Sequence, residues 1–364
     1  MTFVTKTYLP DINKYKDYVD RIYQSGWVTN NGQFVMELEK RLGEFLAVKN
    51  VILVSNGTLA LQVLYKAMEI KGEVITSPFS FVATTSSIVW EGLHPAFADI
   101  DPNSYCIDPI EVEKKITEHT SAIVAVHVFS NPCDVEALEA IAKRHGIKLI
   151  YDAAHAFSVN YKGKSVLRYG DASTLSFHAT KIFHTIEGGA IITEDDELCK
   201  KIRLMINFGI AGYDTITELG INAKMNEFQA AMGLAVLEDV EANIKKRAII
   251  YYKYRKAFMN TDEIQLQAIR PGSSLNYSYF PVVFRSESML LKVREALNRR
   301  EIFPRRYFYP SLNSLPYLKS KQPTPVSENI AGRILCLPIF EDLDEQIINE
   351  IIMIFKQVIY SELQ

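Results

Sequence analysis

Apolar residues recur at two different spacings along the first half of the chain. In QFVMELEKRLGEFLA (33–47), Phe34, Leu38, Leu42 and Phe45 stand three or four apart, one face of a helix. NVILVSNGTLALQVLYKAM follows: a β-branched run to Ser55, a turn, then an apolar-periodic helix. GEVITS predicts a strand, 81–91 a helix, PAFADI a strand, and a further helix opens near Asp108. TSAIVAVHVF and IKLIYDAAHA predict buried strands, with the helix DVEALEAIAKRHG between them closing on Gly146. Val/Ile runs without polar alternation suit a parallel sheet covered on both faces. Their alternation with helices predicts a doubly wound α/β domain.

The pattern loosens after Gly170. STLSFH and GGAIIT predict two more strands, and a long helical stretch starts near Met225 and runs past Lys245. LNYSYFPVVF, a helix, EIFPRRYFYP and the amphipathic helix EQIINEIIMIFKQVIYSEL then predict a smaller α+β domain. The expected division is a large domain over 1–247 and a smaller C-terminal domain over 248–364.

Composition removes several classes. The chain has 364 residues, 48% of them hydrophobic and 23% charged, as in ordinary globular proteins. A formal net charge of −3 provides no basic field for nucleic acid or an anionic membrane. An anionic substrate therefore requires a local cluster of Lys or Arg. Cys106, Cys133, Cys199 and Cys336 are far apart and form no C-x-x-C pair, so neither a disulfide framework nor a metal site is expected. Reduced thiols, a start (MTFVTKTYLP) without an apolar signal core, and no run of about twenty apolar residues predict a cytoplasmic protein.

Ligands of open parallel sheets bind beyond the carboxyl ends of the strands, and three polar groups fall there. Ser55, Asn56, Gly57 and Thr58 sit where a strand turns into a helix. They can hold a phosphate on free N–H groups, or simply cap the helix. Asp152 ends an apolar strand, with His155 three residues on. That pair suits the ring nitrogen and phenolic oxygen of pyridoxal 5′-phosphate (PLP), or a capping Asp and a core histidine. Lys181, in SFHATKIFHTIEGGA, follows a strand end among Ser176, His178, Thr180 and His184. A lysine desolvated there forms Schiff bases, whereas most lysines are solvated surface residues. Gly188 and Gly189 leave room for the next strand to pass close to a cofactor.

Taken together, VSNGTLAL, PFSFVATTSSI, DIDPNSYCID, VHVFSNPCDVEAL, YDAAHAF, LSFHATKIFHTIEGGAIIT and INAKMNEFQAAMGL resemble the DegT/DnrJ/EryC1/StrS family of sugar aminotransferases. The matching segments run from about 51 to 234. The resemblance implies a type I PLP-dependent aminotransferase fold, PLP as cofactor, and a homodimer with shared active sites. By position, Lys181 would carry the cofactor and move the proton, Asp152 would hold the pyridine nitrogen, and His155 the phenolic oxygen. Phe81 would stack on the ring. Ser55, Asn56, Gly57, Thr58 and Ser176 would hold the phosphate, and Asn222 would reach the phosphate of the partner subunit. A dehydrating branch of the family carries histidine in place of the lysine; Lys181 therefore favours transamination. His184 stands where many relatives have Asn.

The implied reaction passes an amino group from L-glutamate to a keto-sugar nucleotide. The favoured substrate is dTDP-4-keto-6-deoxy-D-glucose, giving dTDP-4-amino-4,6-dideoxy-D-glucose for lipopolysaccharide O-antigen. A C3-keto sugar is the alternative. A non-catalytic PLP-binding regulator is the alternative of another class; it has no need of Lys181, Asp152 and His155 together. RRYFYP supplies local positive charge: Arg305 and Arg306 for the pyrophosphate, Tyr307 and Tyr309 near the sugar. The other reading of RRYFYP is an alternating strand with one arginine on a solvated face.

Overall fold

The computed structural model describes residues 1–318 and 321–362. Its central sheet has seven strands, in the order Asn50–Val54, Gly189–Thr193, Ala172–Ser176, Lys148–Asp152, Thr120–Val126, Glu73–Thr76, His94–Phe97. Gly189–Thr193 is antiparallel to both neighbours, and the remaining pairings are parallel. Alternate residues feed two cores. Val51, Leu53, Ile75, Ile123 and Leu149 enter one, and Ile52, Val54, Val74, Val124 and Ile150 enter the other. This is why the strands read as unbroken apolar runs.

Local signals set the ends of the covering helices. Asn56 caps Gly57–Ala67 by accepting the Leu59 N–H at 2.9 Å. Asp134 caps Val135–His145, and Gly146 ends it in the left-handed region at φ 64°. The long helical stretch expected from Met225 is two helices, Glu227–Leu237 and Val240–Phe258. The first is buried almost all round, and the second presents polar residues to solvent. The chain turns between them at Asp239, whose carboxylate accepts the Tyr8 hydroxyl at 2.9 Å and pairs with Lys14.

A third core joins Ile250, Tyr254 and Phe258 to Phe280, Val282, Leu290, Val293 and Phe355. It packs on the antiparallel sheet of Ile264–Leu266, Phe280–Phe284 and Ile334–Leu337 and on the helix Glu345–Glu362. The division expected at 247 falls inside Val240–Phe258, and Thr2–Phe3 pairs with Ile302–Phe303 beyond it. RRYFYP is not a strand. Regular pairing ends at Phe303, and Arg305 is held by a single bridge to Cys336. The chain then returns to the central sheet. Leu312 donates to the Pro78 carbonyl at 3.0 Å, and the buried Asp99 carboxylate accepts the N–H groups of Val326 and Ser327 at 2.8 Å. These ties suspend Arg305 and Tyr307 over the strand ends.

Candidate active site

The carboxyl ends of the central strands open into a cavity of about 300 Å³, within the size range of small-molecule sites. Asn56, Gly57, Thr58, Phe81, Asp152, His155, Ser176 and Lys181 all line it. Ser55 does not; its N–H donates to the Ala223 carbonyl at 2.8 Å. Asn222 is exposed, bridges to Asn207, and stays off the cavity of its own chain.

Gly57 begins its helix against Ser176: a Cβ there would stand 3.0 Å from that residue's Cβ. The Leu59 N–H is taken by Asn56, so the Gly57 and Thr58 N–H groups, with Thr58 and Ser176 on the same cavity wall, are the donors an anion could use. The glycine pair further on has a different use from the expected one. A Cβ on Gly189 would meet the Asn56 carbonyl carbon at 2.6 Å, and one on Gly188 would run into Thr185. The pair makes room for the chain's own turn.

Asp152 caps no helix. Its carboxylate accepts the Thr84 hydroxyl at 2.7 Å and the Ala154 N–H at 3.1 Å. Ser80 backs Thr84 at 2.7 Å. Burial pushes the Asp152 carboxyl above its ordinary range, while these bonds and the Lys181 charge pull it back. Thr84 was not among the residues expected from the sequence. Its place in the first turn of Val82–Trp90, three residues after Phe81, is the signal that could have found it.

His155 Nδ1 accepts the Phe129 N–H at 3.3 Å. Phe129 and Ser130 both adopt left-handed backbone, φ 54° and 65°, to deliver that donor. Burial holds His155 well below its ordinary pKa, so the ring is neutral. Its proton must then lie on Nε2, and His155 offers the cavity a donor. Lys181 is half-buried, and desolvation lowers its pKa while the Asp152 charge works against that. Its Nζ donates to Tyr279 Oη at 3.3 Å. Tyr279, at the start of Phe280–Phe284, was also missed; its strand-end place in LNYSYF was the available signal.

The two arginines separate. Arg305 lines the cavity with its guanidinium 4.6 Å from the centre of the Tyr307 ring, and Tyr307 lines it too. Arg306 turns away. It donates to Glu287 at 2.7 Å and to the Gly332 carbonyl at 2.6 Å, against Tyr309 at 3.6 Å. Arg306 and Tyr309 are therefore outside the cavity, because the former is spent on tying Glu287 to Gly332. His184 is also structural. Its Nδ1 accepts the Ile186 N–H at 3.2 Å, so the neutral ring donates from Nε2 to the Tyr8 carbonyl at 2.6 Å.

The site fits PLP. It has an anion cradle at one side, a buried carboxylate braced by two donors, a neutral imidazole donor, an open aromatic in Phe81, and a desolvated amine. With the seven-stranded mixed sheet, this defines the class of the type I PLP-dependent aminotransferases. The chain belongs to the DegT/DnrJ/EryC1/StrS aminotransferase family, whose model matches residues 11–356. It is an aminotransferase, and its cofactor is PLP. A dTDP-4-amino-4,6-dideoxy-D-glucose transaminase of Escherichia coli is 41% identical over 356 residues, 96% of each chain. A GDP-perosamine synthase of Escherichia coli O157:H7 is 32% identical over 94% of this chain and 95% of its own. The crystal structure of DesI with its TDP-sugar product superposes with a TM-score of 0.92, at 32% identity, over 98% of this chain and 92% of that one.

Proposed function

We propose that this enzyme moves the amino group of L-glutamate to the C4 ketone of dTDP-4-keto-6-deoxy-D-glucose, in the cytoplasm, for O-antigen synthesis. The product is dTDP-4-amino-4,6-dideoxy-D-glucose. The observation that carries the reading is one cavity holding Lys181, Asp152 and His155 together with Arg305 and Tyr307. The full-length likeness to a transaminase of that name supports the choice of sugar. We divide the chain into a large unit, 1–247, that holds the cofactor, and a smaller unit, 248–364, that brings Arg305 and Tyr307 to it.

Bound PLP supplies an electron sink for the carbanion formed when the donor loses its Cα proton. The residues do the rest. Gly57, Thr58 and Ser176 would hold the phosphate, Phe81 would cover the ring, and His155 would donate to the phenolic oxygen. Asp152, held in place by Thr84 and Ala154, would keep the ring nitrogen protonated. Lys181, once a free amine, takes the Cα proton of glutamate. In the second half-reaction it returns a proton to the carbon that carried the ketone. Arg305 holds the pyrophosphate, with Tyr307 beside the sugar.

Separate half-reactions test this division. Arg305→Ala removes a charge-assisted bond, so kcat/KM for the sugar nucleotide should fall about ten- to hundredfold. The glutamate half-reaction, with no pyrophosphate, should be unchanged. Arg306→Ala should lower thermal stability and leave the sugar half-reaction near normal. Equal damage to both half-reactions in Arg305→Ala would remove Arg305 from substrate binding.

The active form is a homodimer with shared sites. Supporting this, the segment before Asn222 exposes Phe208, Ile210, Tyr213, Ile216, Leu219 and Ile221, an apolar face unsuited to solvent. Asn222 itself serves the partner's cofactor phosphate. Mixing Lys181→Ala with Asn222→Ala dimers should then restore activity, since each hybrid holds one intact site. Proven subunit exchange without recovered activity would contradict the shared site.

A further inference from the structure

We propose that Tyr279 is the positioning residue for the Lys181 amine, receiving it whenever that amine is free of the cofactor. The inference rests on the reading of Lys181 given above. An amine that alternates between a covalent link and a free base needs a defined resting place. A hydroxyl fixed by the protein at the wall of the cavity supplies one. Lys181 Nζ lies 3.3 Å from Tyr279 Oη, and its ammonium would stand 5.9 Å from the ring centre.

Tyr279 is built not to move. It is 7% exposed. Its ring packs on His155 at 4.5 Å and Phe129 at 5.4 Å, and meets Tyr307 edge-on at 5.8 Å. The strand Phe280–Phe284 that follows is paired on both sides. The segment before it is pinned to the loop after Asp152: Asn276 Nδ2 donates to the carbonyls of His155 and Phe157, at 2.9 Å each, and its Oδ1 accepts the Ser278 N–H at 3.1 Å. The smaller unit thus places one rigid phenol against the nucleophile of the larger.

A phenol suits the task better than a carboxylate. Its oxygen accepts from an ammonium, and its O–H donates to an amine lone pair, so it serves both protonation states. Burial raises the Tyr279 pKa, which keeps the hydroxyl neutral. A carboxylate would hold the amine as a cation. Asp152, His155 and Tyr307 also face Lys181, and Arg247, Arg305 and Cys336 face Tyr279.

Tyr279→Phe keeps the ring and removes the oxygen. The ammonium loses a charge-assisted bond and the amine a neutral one, so the Lys181 pKa should fall. The readout is the pH profile of PLP capture by apoprotein, trapped with borohydride and mapped by mass spectrometry. Its midpoint should move down by about 0.5–1 pH unit. Both half-reactions should slow by a similar factor, about tenfold, because one amine serves both. An unchanged midpoint with unchanged rates would overturn the proposal. So would a loss confined to the sugar half-reaction, which marks a substrate contact. A wild-type adduct on a lysine other than Lys181 is a separate outcome: it overturns the reading of Lys181 itself, and this inference with it.

Discussion

Lys181→Ala should abolish turnover and remove the covalently held chromophore in the same protein. In the proposed mechanism the amine is both the attachment point and the base for the Cα proton. Loss of a positioned acid–base group alone lowers rates about 10²–10⁴-fold, and loss of the covalent link adds to that. The side chain is half-buried at the wall of a cavity, so its truncation leaves no sealed void and the variant should fold. Steady-state kinetics with glutamate and the keto-sugar nucleotide check the first part, and the visible spectrum the second. Turnover within tenfold of wild type would remove Lys181 from the chemistry.

Asp152→Asn separates binding from activation. The amide keeps the shape of the carboxylate, and its oxygen can still accept from Thr84 or Ala154. It cannot hold a proton on a pyridine nitrogen. PLP should still bind and colour the protein, while kcat falls by a factor of the same order, about 10²–10⁴. The structure sharpens this expectation, because no helix follows Asp152 and its carboxylate is braced from an element 68 residues away. Normal turnover in Asp152→Asn would reduce it to a residue that shapes the loop.

The sheet was legible because a strand buried on both faces leaves an unbroken β-branched run, as in IVAV and VILV. That the turn at 56–58, Asp152 and Lys181 share one cavity was legible because strand ends are where such a fold puts ligands. What escaped came from contacts distant in sequence. Thr84 matters only because its helix lies beside the strand ending at Asp152. Tyr279 reaches Lys181 only because its segment, 98 residues further on, folds back over the cavity. The two neighbours Arg305 and Arg306 look alike in sequence. A bridge to Cys336 leaves one over the cavity, while Glu287 and Gly332 claim the other. The break at Asp239 was hidden because no Gly or Pro marks it, and the contacts of Tyr8 and Lys14 with its carboxylate come from residues far away in sequence.

The most direct measurement is transfer of ¹⁵N from labelled L-glutamate to dTDP-4-keto-6-deoxy-D-glucose, followed by NMR of the purified sugar nucleotide. The expected product carries one ¹⁵N atom bonded to C4 of the hexose, with 2-oxoglutarate formed in equal amount. Label at C3, or glutamate consumed with no label in the sugar, would contradict the proposed reaction.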